Sequence, residues 1–238
     1  MRIISIANQK GGTAKSTTAA ALAQAAAYRG KRCLAIDLDP QGNLSFFLAT
    51  DTARAGAFDL LEGSAPAEAV IQHTGGIDVI PASWDLQTIT SSKGSARRLR
   101  AALEPVHYDL IVIDTPPTAG ELQYNALMAA TDLIIPLQAD IVGLQGLYQM
   151  TDTARQIQQS NPRLRLTGYI LTRHGGRSTL ARQMTETIKA RAEIPFLMAI
   201  REAVAIREAQ TLQLSLYEYA PNSKPAADYL QLLDMLNH

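Results

Sequence analysis

A single cysteine, Cys33, stands in a chain of 238 residues. That scarcity excludes a disulfide framework and any metal centre built from several thiolates, as expected in a reduced compartment. An excess of either charge is also missing, because 22 Lys and Arg balance 22 Asp and Glu. No overall field therefore draws the chain to nucleic acid, and local patches have to be sought instead. No apolar run nears the roughly 20 residues that a membrane-crossing helix needs. Met1–Ile6 is too short for a signal peptide and leads straight into a glycine loop. These absences predict a soluble cytoplasmic protein.

What is present is ample core material, with 47% of residues apolar, enough for one large domain over 1–238. Short runs of Val, Ile and Leu at Arg2–Ala7, Arg32–Ile36, Ile77–Ile80, Leu110–Ile113, Leu133–Pro136, Leu166–Leu171 and Phe196–Met198 read as strands. Their near-continuous apolar character marks strands buried on both faces. Helix-length segments lie between them at Lys15–Arg29, Gly120–Ala130, Val142–Ser160 and Ser178–Ala192. Such alternation predicts an α/β fold: a mostly parallel β-sheet with helices on both faces, in three layers. Residues Thr50–Thr74 are the least regular and are expected to hold short helices.

The chemistry concentrates at Asn8–Thr18, "NQKGGTAKSTT", between the first strand and the first helix. Glycines Gly11 and Gly12 let backbone N–H groups close around phosphate oxygens, and the helix N-terminus beyond Thr13 and Ala14 adds a positive dipole end. In such a loop Lys15 reaches the β- and γ-phosphates, the Ser16 hydroxyl ligates Mg²⁺, and Thr17 continues the cradle. The standard pattern G-x-x-x-x-G-K-[ST] asks for glycine where this chain has Gln9 and Ala14. If position 14 needs a positive φ, alanine costs about 1 kcal/mol there. Two further acidic strings follow. "CLAIDLDPQGN" (Cys33–Asn43) ends a strand with Asp37 and Asp39, which at i and i+2 share a face and are expected to point into one site. "YDLIVIDTPP" (Tyr108–Pro117) delivers Asp114 from a buried strand, the geometry of a carboxylate beside Mg²⁺.

Together these strings resemble the ParA/MinD family of P-loop ATPases, whose deviant phosphate loop reads K-G-G-x-x-K-[ST] and whose later motifs read D-x-D-P-Q-G-N and D-x-x-h-h-D-x-P-P, with h apolar. "LIIPLQADIVGLQGL" (Leu133–Leu147) and "YAPNSKPAADY" (Tyr219–Tyr229) extend the resemblance over nearly the whole chain. The resemblance implies a P-loop NTPase-like fold, ATP and Mg²⁺ as cofactors, and slow hydrolysis to ADP and phosphate. It makes Lys10, Lys15 and Asp39 the catalytic residues. Lys10 would act across a nucleotide-sandwich homodimer on the partner's phosphates, and Asp39 would orient the attacking water. Gly11, Gly12, Thr13, Ala14, Lys15, Ser16 and Thr17 would hold the nucleotide, and Ser16 and Asp114 the metal. "LTRHGGRS" (Leu171–Ser178) stands where the family contacts base and dimer partner, which nominates Arg173 and Arg177.

Within the family, one cysteine excludes a cluster-bridging iron–sulfur reductase. The tail after Lys224 contains two Asp and no Lys or Arg, so it does not read as a basic amphipathic membrane anchor. With a first strand beginning at Arg2, no helix-turn-helix extension is expected. The sequence then resembles the small ParA-type segregation ATPases, which implies nonspecific DNA binding by the ATP dimer and a ParB-like centromere-binding partner, in a nucleoid-associated, cytoplasmic setting. From Arg155 to Arg207 ten basic residues face three acidic ones, which nominates Lys189, Arg191, Arg201 and Arg207 for DNA. The alternative is a positioning adaptor for a protein cargo or conjugation machinery.

Overall fold

The computed structural model describes residues 1–90, 94–174 and 179–236. Among these residues eight strands form one sheet: β1 (Arg2–Ile6), β2 (Cys33–Asp37), β3 (Gln72–Thr74), β4 (Ile77–Ile80), β5 (Leu110–Asp114), β6 (Asp132–Leu137), β7 (Arg165–His174) and β8 (Phe196–Arg201). Their spatial order is β3-β4-β2-β5-β1-β6-β7-β8, and every neighbouring pair is parallel except β3 with β4. All seven strands read from the sequence are present. The eighth, β3, is a three-residue edge strand without an apolar run. It pairs through Gly75 and Gly76, both at positive φ, as a two-residue hairpin turn demands.

The helices are α1 (Lys15–Tyr28), α2 (Asn43–Phe47), α3 (Ala57–Glu62), α4 (Ala67–Val70), α5 (Arg98–Ala102), α6 (Glu121–Ala129), α7 (Ile141–Gln158), α8 (Thr179–Arg191), α9 (Val204–Thr211), α10 (Leu216–Tyr219) and α11 (Lys224–Leu236). They cover both faces of the sheet, giving the three layers. One core cluster joins Ile36, Ile111 and Ile135 to Leu60, Leu99, Leu127, Leu147 and Ile188 of α3, α5, α6, α7 and α8. The other joins Ile4, Val112 and Ile170 to Leu22, Leu44, Ala209, Tyr217 and Leu233 of α1, α2, α9, α10 and α11. Thr50–Thr74 does hold two short helices, α3 and α4. The acidic-leaning tail folds as α11, whose Leu232, Leu233 and Leu236 are buried. No helix among the described residues is long and apolar enough to cross a membrane.

Strand register sets up the site. Ile6 of β1 and Asp37 of β2 both pair with Asp114 of β5, so three central strands end level at one edge. Loops leaving the carboxyl ends of parallel strands meet there, the usual position for a ligand cleft in an open α/β sheet.

Candidate functional site

The loop between β1 and α1 is tied down on all sides. Asn8, fully buried, donates through Nδ2 to the Pro136 carbonyl at 2.8 Å and accepts the Lys10 N–H through Oδ1 at 3.2 Å. Gln138 Nε2 donates to the Gly12 carbonyl at 2.9 Å, and Thr172 Oγ1 to the Thr13 carbonyl at 3.2 Å. Gly12 takes φ 73° and Ala14 φ 66°, so the position where the sequence offers alanine does lie in the left-handed region that favours glycine. Ala14 is the residue before α1. No side chain caps that helix, and its first turn carries no acid. Its leading N–H groups and positive dipole end are thus left to an anionic ligand.

Lys15 lies under this loop, 6% exposed, with Nζ donating to the Lys10 carbonyl at 3.2 Å. Burial lowers the Lys15 pKa, and the nearby Asp114 and Asp39 carboxylates oppose that shift. Asp114 is fully buried at the end of β5, and burial together with the charge of Asp37 pushes its pKa well up, against the nearby Ser16 hydroxyl and the Lys15 charge. Its Oδ1 accepts the Thr115 N–H at 3.0 Å, whereas Oδ2 is buried without a hydrogen-bond partner. An unpaired buried carboxylate oxygen is costly. The carboxylate lies near the Ser16 hydroxyl and the Lys15 ammonium, a set that fits a cation held by one carboxylate, one hydroxyl and the ligand's own oxygens. No cluster of three or more His, Cys, Asp or Glu suited to a metal occurs among the described residues.

The two acids of Cys33–Asn43 take different positions. Both Asp37 oxygens are engaged by protein donors: Asp39 N–H at 3.1 Å, Ser45 N–H at 2.8 Å and Ser45 Oγ at 2.7 Å. Burial raises its pKa to about 6 against those bonds. The expectation that both acids open into one cleft is thus corrected for Asp37, which the Asp39 N–H and the two Ser45 donors hold buried. Asp39 lines a cavity of about 420 Å³ with Gln41, Trp84, Pro116, Pro117 and Gln123. The segment after Asp114 and the turn after β2 therefore face each other beside the loop.

A smaller cavity opens on the α1 side of the loop, lined by Ala14, Thr17, Arg173, Arg201, Arg207 and Gln210 among others. Arg173, next to the last residue of β7, takes φ 52° and is exposed; Arg177 lies outside the described residues. Lys189 pairs with Glu186 at 3.0 Å and lies over the Phe196 ring. Arg201 is bound to Asp228 of α11, Arg207 pairs with Glu202 at 3.4 Å, and Arg191 is exposed in the last turn of α8. Acids distant in sequence therefore offset part of the surplus counted along the chain. Asp132 likewise takes Arg165, whereas Arg155 pairs with Glu193, one of the three acids already counted. Sequence reasoning did not single out Asn8, Gln138 and Asp140. An aspartate directly before an apolar helical run, as at Asp140, is a capping signature that would have found the last of them.

The Lys10 ammonium rests on Asp140 at 3.1 Å. Residues 1–166 match the family described as AAA domain. The chain is 38% identical over 237 residues to the chromosome-partitioning ATPase Soj of Thermus thermophilus, covering 98% of this chain and 94% of that one. Among solved structures, it resembles the cobyrinic acid a,c-diamide synthase of Mycobacterium smegmatis with bound ATP analogue and magnesium (TM-score 0.88, 32% identity, 100% and 94% covered). It also resembles the septum site-determining protein MinD of Pyrococcus horikoshii complexed with Mg-ADP (TM-score 0.82, 28% identity, 99% and 96% covered). With the loop, the two acidic strand ends and the strand order all in agreement, the chain belongs to the ParA/MinD family of P-loop ATPases.

Proposed function

We propose that this chain is a Mg²⁺-dependent ATPase that works as a dimerising switch in DNA partitioning. The observation that carries the reading is the buried Lys15 ammonium beneath the glycine loop, beside Asp114 with its buried, unpartnered oxygen. Phosphoryl transfer asks for positioning and charge neutralisation more than covalent chemistry. Lys15, the loop N–H groups and the α1 N-terminus bind and orient the triphosphate. Ser16 and Asp114 are the residues that hold Mg²⁺, which when bound supplies positive charge to the phosphate oxygens. Asp39 orients the attacking water, and the segment Thr115–Pro117 senses the terminal phosphate. The cavity lined by Thr17, Arg173 and Gln210 takes the base.

Lys10 completes the site of a second subunit, so ATP favours the homodimer and hydrolysis releases it. The dimer binds DNA without sequence preference through the exposed arginines of α8 and its neighbours, on the nucleoid, and a ParB-like centromere-binding protein stimulates hydrolysis. The kinship with a chromosome-partitioning ATPase supports partitioning over other uses of the fold. The whole chain forms the one ATPase domain.

The test is a titration of the chain and its Lys15→Ala variant with a fluorescent ATP analogue and Mg²⁺, followed by DNA retention across a salt series. Wild type should bind nucleotide and, with it, retain DNA in a salt-sensitive way, and Lys15→Ala should bind neither. Wild-type affinity in Lys15→Ala defeats the nucleotide site. Nucleotide binding without DNA retention at low salt favours a protein-cargo adaptor.

A further inference from the structure

Lys10 is held within its own subunit. Its ammonium lies 3.1 Å from both carboxylate oxygens of Asp140, and the two side chains are 25% and 43% exposed. The same carboxylate caps α7, since Asp140 Oδ1 accepts the Gly143 N–H at 2.6 Å. One side chain thus joins the phosphate loop to the first turn of α7. The backbone of Lys10 is fixed as well. Its N–H is bound to Asn8, and α7 closes on Asn8 at Gly146, where an added Cβ would stand 2.9 Å from Asn8 Oδ1. Only the lysine side chain has room to change partner.

We propose that Asp140 is a positioning residue that parks Lys10 in cis, and that Lys10 must leave it before the ammonium can serve the partner subunit's phosphates. This rests on the reading of Lys10 given above. Release is easy because Asp140 is not stranded by it: the carboxylate keeps the Gly143 N–H and stays at the positive end of α7. A triphosphate presents more negative charge than one carboxylate and wins the lysine when it is in place. Without it the lysine returns to Asp140 and the dimerisation face lacks its cation. A partly exposed ion pair shifts an equilibrium by about 1.5- to 5-fold. Two such pairs open per dimer, so the effect on dimerisation is the square, about 2- to 25-fold.

The experiment is sedimentation velocity with Mg²⁺ and a nonhydrolysable ATP analogue. Asp140→Asn removes the anion and keeps a good cap, so it should melt like wild type and associate about 2- to 25-fold more tightly. Asp140→Ser, also a capping residue, should do the same and serves if the first variant melts lower. Lys10→Ala should lose association, and adding Asp140→Asn to it should restore none. Association of both Asp140 variants equal to or weaker than wild type, with Lys10→Ala defective, overturns the role of Asp140 alone. Lys10→Ala associating like wild type overturns the reading of Lys10 beneath it.

Discussion

Asp37 accepts the backbone N–H of Asp39 at 3.1 Å, and that bond separates two acids that look equivalent in the sequence. Asp37 also takes both donors of Ser45, whose Oγ in turn accepts the Ala82 N–H at 2.9 Å. The buried acid thereby fastens the turn after β2 to the segment after β4. Asp39, with Oδ1 on the Gln41 N–H at 3.0 Å, is left to face the cleft.

Asp39→Asn should therefore bind nucleotide normally and hydrolyse it at least about 100-fold more slowly, since only water positioning is lost. Single-turnover phosphate release beside a nucleotide titration measures both. Turnover at the wild-type rate would remove Asp39 from the mechanism. Asp37→Ala should behave differently, losing about 1–3 kcal/mol of stability because it strands buried donors.

Ala14 holds φ 66° and ψ 35° at the entrance to α1. The left-handed region costs an L-residue about 1–2 kcal/mol, and glycine returns part of that gain through its freer unfolded chain. Ala14→Gly should raise stability by up to about 1 kcal/mol, or about 2–4 °C in Tm for a domain of this size. A thermal melt that moves down instead would mean that the alanine methyl makes a contact worth more than the strain.

At the opposite edge of the sheet Asp132 binds Arg2, Thr131, Arg165 and Thr167. Burial alone would raise its pKa, but these hydrogen bonds outweigh burial and bring it down to about 2. A carboxylate with a depressed folded-state pKa contributes stability that is complete above its unfolded value of about 3.9 and is lost as pH falls toward the folded value. The gap in melting temperature between wild type and Asp132→Asn should thus be constant from neutral pH down to about 4 and close between about 4 and 2. A gap that does not change over that window would show that the carboxylate charge contributes nothing.

Much of this protein was legible in its sequence because the information was local. A strand buried on both faces needs a continuous apolar run, and each of the seven such runs became one. A phosphate loop needs glycine and lysine at fixed offsets between strand and helix, and Lys10–Thr17 supplies them within one turn of chain. The strand β3 escaped because a three-residue polar edge strand carries no pattern of its own; only its partner β4 makes it a strand. The tertiary structure decided what depends on residues far apart in the chain. Asp37 and Asp39 differ because Ser45 folds over only one of them. Lys10 finds Asp140, 130 positions away, only because β1 and β6 lie side by side. The cationic surplus of Arg155–Arg207 shrank for the same reason: Asp132 reaches Arg165 from the neighbouring strand, and Asp228 reaches Arg201 from α11. Charge pairing acts through space, and a count along the chain carries no distances.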